Sequence, residues 1–154
     1  MKARFLYSQV EPESVRVMRE LQSYVDRSGL DPKLLELIKI RASQINGCAY
    51  CLDMHTKDAR AQGETEERIH LLSAWREAPF YSDGERAALE FTEALTLIAT
   101  QRVSNDLYER LRVHFTAAQY VQLIMAINVI NNWNRLAIAT GAVAGTYRPE
   151  PLKT

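Results

Sequence analysis

An all-α fold is expected here on three grounds. Apolar residues recur at spacings of three and four along most of the chain, helix-start and helix-stop signals alternate in register with those runs, and no stretch alternates apolar with polar residues as a half-buried strand would. No internal repeat or low-complexity linker interrupts the pattern. The 154 residues are expected to form one domain, 1–154, long enough to bury about two thirds of the surface of the unfolded chain.

The first helix is expected from Pro12 to about Arg27, with Val15, Met18, Leu21, Tyr24 and Val25 on its apolar face and Gly29 as its stop. Asp31 caps a second helix with Pro32 in its first position; it carries Leu34, Leu37, Ile38 and Ile45 and ends at Asn46-Gly47. Cys48 then starts a third, running to about Ala61 and closed by Gly63. Thr65 caps a short fourth helix from Glu66 to about Trp75, and Ser82 with Glu85 forms a capping box for a fifth, Asp83 to about Thr100. Ser104 opens a short sixth. Thr116 with Gln119 opens a long last helix to Thr140, stopped by Gly141, and an extended tail with Pro149 and Pro151 follows. Val121, Leu123, Ile124, Ala126, Ile127, Val129 and Ile130 occupy nearly the whole circumference of that last helix, as suits a central or intersubunit element. Its Asn128, Asn131, Asn132 and Asn134 are expected to bond across helices or across subunits.

Composition narrows the function. Nineteen basic and nineteen acidic residues, with no run of one sign, point away from nucleic acid and from anionic membrane surfaces and toward a small-molecule or protein partner. The N-terminus lacks an apolar stretch long enough for a signal peptide, and no segment approaches the ~20 apolar residues of a membrane span. A cytoplasmic protein is expected, and there a close cysteine pair is catalytic or metal-binding rather than structural.

The two cysteines, Cys48 and Cys51, are the only ones in the chain, and His55 follows one turn beyond the second. On a helix all three lie within roughly 60° of one face. A thiolate, not a thiol, attacks peroxides and disulfides, so two thiols beside a base form a candidate redox site. Glu36 lies 15 residues before Cys51, roughly 22 Å along a continuous helix and out of reach. A reversal at Asn46-Gly47 would make the second and third helices antiparallel and return Glu36 to the thiol face. Glu36 then has two readings: a solvated carboxylate on an amphipathic helix, or a partly buried base whose pKa burial raises. Zinc would accept Cys48, Cys51, His55 and Glu36, but a structural site recruits a second Cys or His pair that this chain lacks, so no metal is expected. Tyr50 and Asp53 adjoin the pair and are candidates to line a thiol pocket. His70 and His114 stand on other helices without a partner motif.

The run Glu36, Lys39-Ile40-Arg41, Ile45-Asn46-Gly47-Cys48-Ala49-Tyr50-Cys51, His55-Thr56-Lys57-Asp58-Ala59 resembles the core of the AhpD-like alkylhydroperoxidases of the carboxymuconolactone decarboxylase family. The similarity extends from about Leu30 to Gly141, through Glu85-Arg86-Ala87-Ala88-Leu89 and Asn132-Trp133-Asn134-Arg135. The resemblance implies a compact all-helical domain that assembles into homo-oligomers, trimers or hexamers. It also implies a thiol-dependent peroxidase acting on organic hydroperoxides or hydrogen peroxide without a bound cofactor. Cys51 would be activated by a relay from Glu36 through His55 and a bridging water and attack the peroxide; Cys48 would then close the disulfide, and an external thiol or dithiol donor would reopen it. Tyr50 departs from the pattern, because some AhpD proteins carry a second histidine there. Helix-dipole physics alone favours Cys48 as the more acidic thiol, by about 1 kcal/mol, whereas a hydrogen-bonded base removes a proton outright, so Cys51 is taken as the attacker. Two further chemistries remain beside this one: a general thiol-disulfide oxidoreductase or redox sensor, and a decarboxylating lyase, whose family representatives lack the cysteine pair.

Overall fold

In the computed structural model, which describes residues 2–149, most of the start and stop signals act where the sequence places them. The α-helices are α1 (Tyr7–Val10), α2 (Pro12–Asp26), α3 (Pro32–Asn46), α4 (Ala49–Ala61), α5 (Glu66–Leu71), α6 (Asp83–Thr96), α7 (Asn105–His114) and α8 (Ala117–Thr140), with a 3-10 turn at Leu72–Ala74. No strand occurs among the described residues. The Asp31 carboxylate accepts from the Lys33 N–H at 2.9 Å ahead of α3, and Ser82/Glu85 and Thr116/Gln119 close as reciprocal capping boxes on α6 and α8. Gly47 and Gly141 end α3 and α8 with φ of 69° and 72°, a left-handed backbone that glycine adopts without steric cost.

Three boundaries differ from expectation. The fourth helix stops at Leu71 and tightens into the 3-10 turn instead of continuing to Trp75. The fifth stops at Thr96, where the Leu97 carbonyl accepts from both Thr100 and Gln101 N–H at 2.8 Å; the β-branched Thr96, Ile98 and Thr100 give this stretch weak helix propensity. The single turn α1 is too short for apolar periodicity to register. Pro149 lies in the irregular segment after α8, and Pro151 lies outside the described residues.

Helix α3 is the hub. Leu35 and Ile38 pack with Phe91, Leu111, Leu123 and Ile127 of α6, α7 and α8, while Leu37 and Ile40, on its other side, pack with Leu72, Trp75 and Leu89. Leu37, Ile38 and Ile40 are fully buried, each contributing about 1.5–3 kcal/mol. Helices α3 and α4 are antiparallel: Lys33, at the start of α3, donates from Nζ to the carbonyl of Gly63, just past α4, at 3.3 Å. The reversal between them is pinned to α8 by amides. Asn46 Nδ2 donates to Asn131 Oδ1 and Asn134 Oδ1 at 2.9 and 2.8 Å, Asn134 Nδ2 donates to Ser43 Oγ at 3.0 Å, and Asn131 Nδ2 reaches Thr96 Oγ1 at 3.1 Å. Asn131 and Asn134 thus bond across helices, while Asn128 and Asn132 are exposed. No single helix among the described residues is long and apolar enough to cross a membrane.

Candidate redox site

The reversal after α3 fixes Cys48 as the N-cap of α4. Its N–H donates to the Ser43 carbonyl at 3.0 Å, and its sulfur accepts from the Cys51 N–H at 3.3 Å. Cys48 and Cys51 form a disulfide across the first turn, with Cα atoms 5.4 Å apart. Each is only 1% exposed, so neither sulfur lies open to a broad protein surface.

His55 follows Cys51 by one turn on α4. Its Nδ1 lies 2.9 Å from Glu36 Oε2, while Glu36 Oε1 accepts from Lys39 Nζ at 2.8 Å. The antiparallel pairing therefore does what the Asn46-Gly47 break was expected to do. Glu36 is 4% and His55 6% exposed, so the solvated reading of Glu36 does not hold. Nor does the expected upward shift: burial pushes the carboxyl up, but the hydrogen bond from His55 and the charge of Lys39 outweigh it and hold the group below the usual carboxylate range. Because an ionised carboxylate only accepts, Nδ1 is the nitrogen that donates to Glu36.

Asp58 completes the cluster. Burial pushes its carboxyl above the ordinary range and the Glu36 charge adds to this, against a hydrogen bond from the Tyr147 hydroxyl at 2.7 Å. Donor atoms of Glu36, His55 and Asp58 lie within 4.8 Å of one another, a spacing that could hold a cation. The Lys39 ammonium already supplies one there, salt-bridged to Glu36.

A cavity of about 350 Å³ opens on this cluster. Cys51, His55, Lys39 and Asp58 line one side; Tyr7, Arg19, Gln22 and Asp26 come from α1 and α2; Tyr50, Met54, Trp133 and Ala137 complete the wall. Cys51 borders the cavity and Cys48 does not. Tyr50 lines it as its position between the cysteines allows. Asp53 instead turns to the segment after α8, accepting from the Gly145 N–H at 2.9 Å and pairing with Lys57 at 2.7 Å. His70 and His114 are exposed and lie away from the cavity.

Sequence reasoning missed four of these residues. Lys39 stands at i+3 from Glu36 and Asp58 at i+3 from His55, so helical spacing carried a signal for both. Tyr7 and Arg19 lie 41 and 29 residues before Cys48, and no local pattern marks them.

Comparison with known proteins agrees with this geometry. Residues 12–94 match the carboxymuconolactone decarboxylase family. The chain is 50% identical over 141 residues to the uncharacterized protein YdfG of Bacillus subtilis, covering 92% of this chain and 96% of that one. A crystal structure from Agrobacterium tumefaciens, of a protein of unknown function described as a candidate antioxidant defence protein AhpD, superposes with a TM-score of 0.91 at 42% identity, covering 95% of this chain and all (100%) of that one. An alkylhydroperoxidase AhpD core from Ralstonia eutropha shares the fold alone, at 21% identity and a TM-score of 0.80 over 94% of this chain and 77% of that one. On the match over residues 12–94 and the identity to YdfG, the chain belongs to the carboxymuconolactone decarboxylase family, as an AhpD-like member.

Proposed function

We propose that the protein is a thiol-dependent peroxidase that reduces organic hydroperoxides or hydrogen peroxide through a Cys48/Cys51 dithiol-disulfide cycle. One observation carries the reading: Cys51, not Cys48, borders a cavity that also contains His55, and His55 is held by an ionised Glu36.

In the reduced protein His55 Nε2 takes the Cys51 proton, and the Glu36 carboxylate balances the positive charge that the imidazole acquires. The thiolate attacks the distal peroxide oxygen. The O–O bond breaks, Cys51 becomes a sulfenic acid, and the leaving alkoxide takes the proton back from His55 as an alcohol. Cys48 then attacks the sulfenic sulfur, the S–S bond forms, and hydroxide leaves with the Cys48 proton as water. Two thiol groups of an external donor restore the dithiol and are themselves oxidised to a disulfide. The burial of both sulfurs favours a small oxidant that enters the cavity over direct exchange with folded protein disulfides. Dithiothreitol-dependent consumption of cumene hydroperoxide is the direct assay. The wild-type protein should turn over and Cys51→Ser should not; equal consumption by the two would overturn the proposal.

A further inference from the structure

The cavity holds more hydrogen-bonding capacity than the chain itself uses. Four charged side chains besides His55 reach it, and three are satisfied: Lys39 by Glu36 at 2.8 Å, Asp58 by the Tyr147 hydroxyl at 2.7 Å, and Asp26 by Gln22 Nε2 at 2.8 Å. Arg19 is the fourth, and among the described residues its guanidinium makes no ion pair or hydrogen bond. The Tyr7 and Tyr50 hydroxyls line the same cavity and make no hydrogen bond among the described residues either. Tyr7 is brought there by the N-terminal segment, which the Arg4 N–H ties to the Thr140 carbonyl at 2.9 Å. Burial pushes the Tyr7 phenol up, Tyr50 adds to the shift and Arg19 opposes it, so these three groups share one electrostatic neighbourhood and the hydroxyl keeps its proton at neutral pH. Met54 and Trp133 supply apolar wall between.

A guanidinium and two phenols that all donate, beside apolar wall, match the chemistry of a carboxylate on a hydrocarbon body. A single unpaired cation fits a monoanion better than a doubly charged phosphate. We propose that Arg19, with the Tyr7 and Tyr50 hydroxyls, anchors a carboxylate, so that the preferred oxidants are organic hydroperoxides carrying a carboxylate a short distance from the peroxide group. This rests on the peroxidase reading for the chemistry at Cys51, but the anchor is testable without turnover.

The experiment has a binding arm and a kinetic arm. Calorimetric titration of the disulfide form with 4-isopropylbenzoate and with 4-isopropylbenzamide reads the anchor alone. The carboxylate should bind at least about tenfold more tightly, and Arg19→Gln should bring the two within about threefold. In the kinetic arm, kcat/KM for cumene hydroperoxide bearing a para carboxylate is compared with that for its methyl ester, with the same ratio expected and the same collapse in Arg19→Gln. Equal binding of benzoate and benzamide to the wild-type protein overturns the anchor, whatever the turnover. A benzoate preference without any peroxide turnover supports the anchor and overturns the peroxidase reading instead.

Discussion

At His55 the two ring nitrogens face different tasks. Nδ1 is spent on Glu36 at 2.9 Å, which leaves Nε2 for the cavity that Cys51 borders. Glu36→Gln keeps the shape and removes the charge, so the reactive thiol should titrate at higher pH and its alkylation by iodoacetamide near neutral pH should slow by roughly tenfold per pKa unit gained. A rate profile superimposable on wild type would remove Glu36 from the site. The same carboxylate has a signature in stability. Its folded-state pKa lies below the ordinary value, so its contribution is present above the ordinary carboxylate range and is lost as pH falls through the lowered folded value. The unfolding free energy of wild type relative to Glu36→Gln should therefore decline on acidification below that range, as read by urea titrations at several pH values. For the cysteines, Cys48→Ser should react once with peroxide and accumulate a dimedone-trappable sulfenic acid on Cys51, while Cys51→Ser should accumulate none. Adduct on Cys48 in Cys51→Ser, with none on Cys51 in Cys48→Ser, would reverse the assignment. That Glu36, Cys48, Cys51 and His55 come together was legible because the Glu, Cys-x-x-Cys and His spacing is local once the Asn46-Gly47 reversal is recognised. The direction of the Glu36 shift was not legible, since it is set by Lys39 and His55 together against burial.

Among the elements, the α3-α4 reversal decides whether the site exists. Asn46 shares its amide between Asn131 and Asn134, and Asn134 turns its own amide to Ser43, so the end of α3 is tied to α8 through partly or fully buried groups. Asn46→Ala leaves two acceptors without their donor and should cost about 1–3 kcal/mol in denaturant unfolding of the reduced protein. A change below about 0.5 kcal/mol would mean that the amides are satisfied by other partners. The starts of α3, α6 and α8 were readable because each has its own cap: Asp31-Pro32, Ser82/Glu85, Thr116/Gln119. The ends of α5 and α6 were not, because no glycine marks them and the backbone tightens gradually into 3-10 and turn geometry.

For the whole molecule, the apolar circumference of α8 has an explanation within one chain. Leu123, Ala126, Ile127, Val129 and Ile130 are buried, Asn128, Asn132 and Arg135 are polar and exposed, and Val121 and Ile138 are apolar and exposed. Packing within one chain therefore covers most of the helix but leaves Val121 and Ile138 uncovered. Exposed Phe5, Leu6, Val10 and Val17 in the N-terminal third keep self-association as the expectation. Light scattering at micromolar concentration should give a trimer or hexamer, and a monomer mass would contradict that. Long-range assembly of the cavity was the part least visible in the sequence, because Tyr7, Arg19 and Trp133 come to the cavity that Cys51 borders from α1, α2 and α8. The central claim is that peroxide oxidises the Cys48/Cys51 pair. Intact and peptide mass spectrometry of the reduced protein, before and after one equivalent of cumene hydroperoxide, tests it most directly. A loss of two hydrogens confined to the peptide containing Cys48 and Cys51 is the predicted result; an unchanged dithiol with the peroxide still present would contradict it.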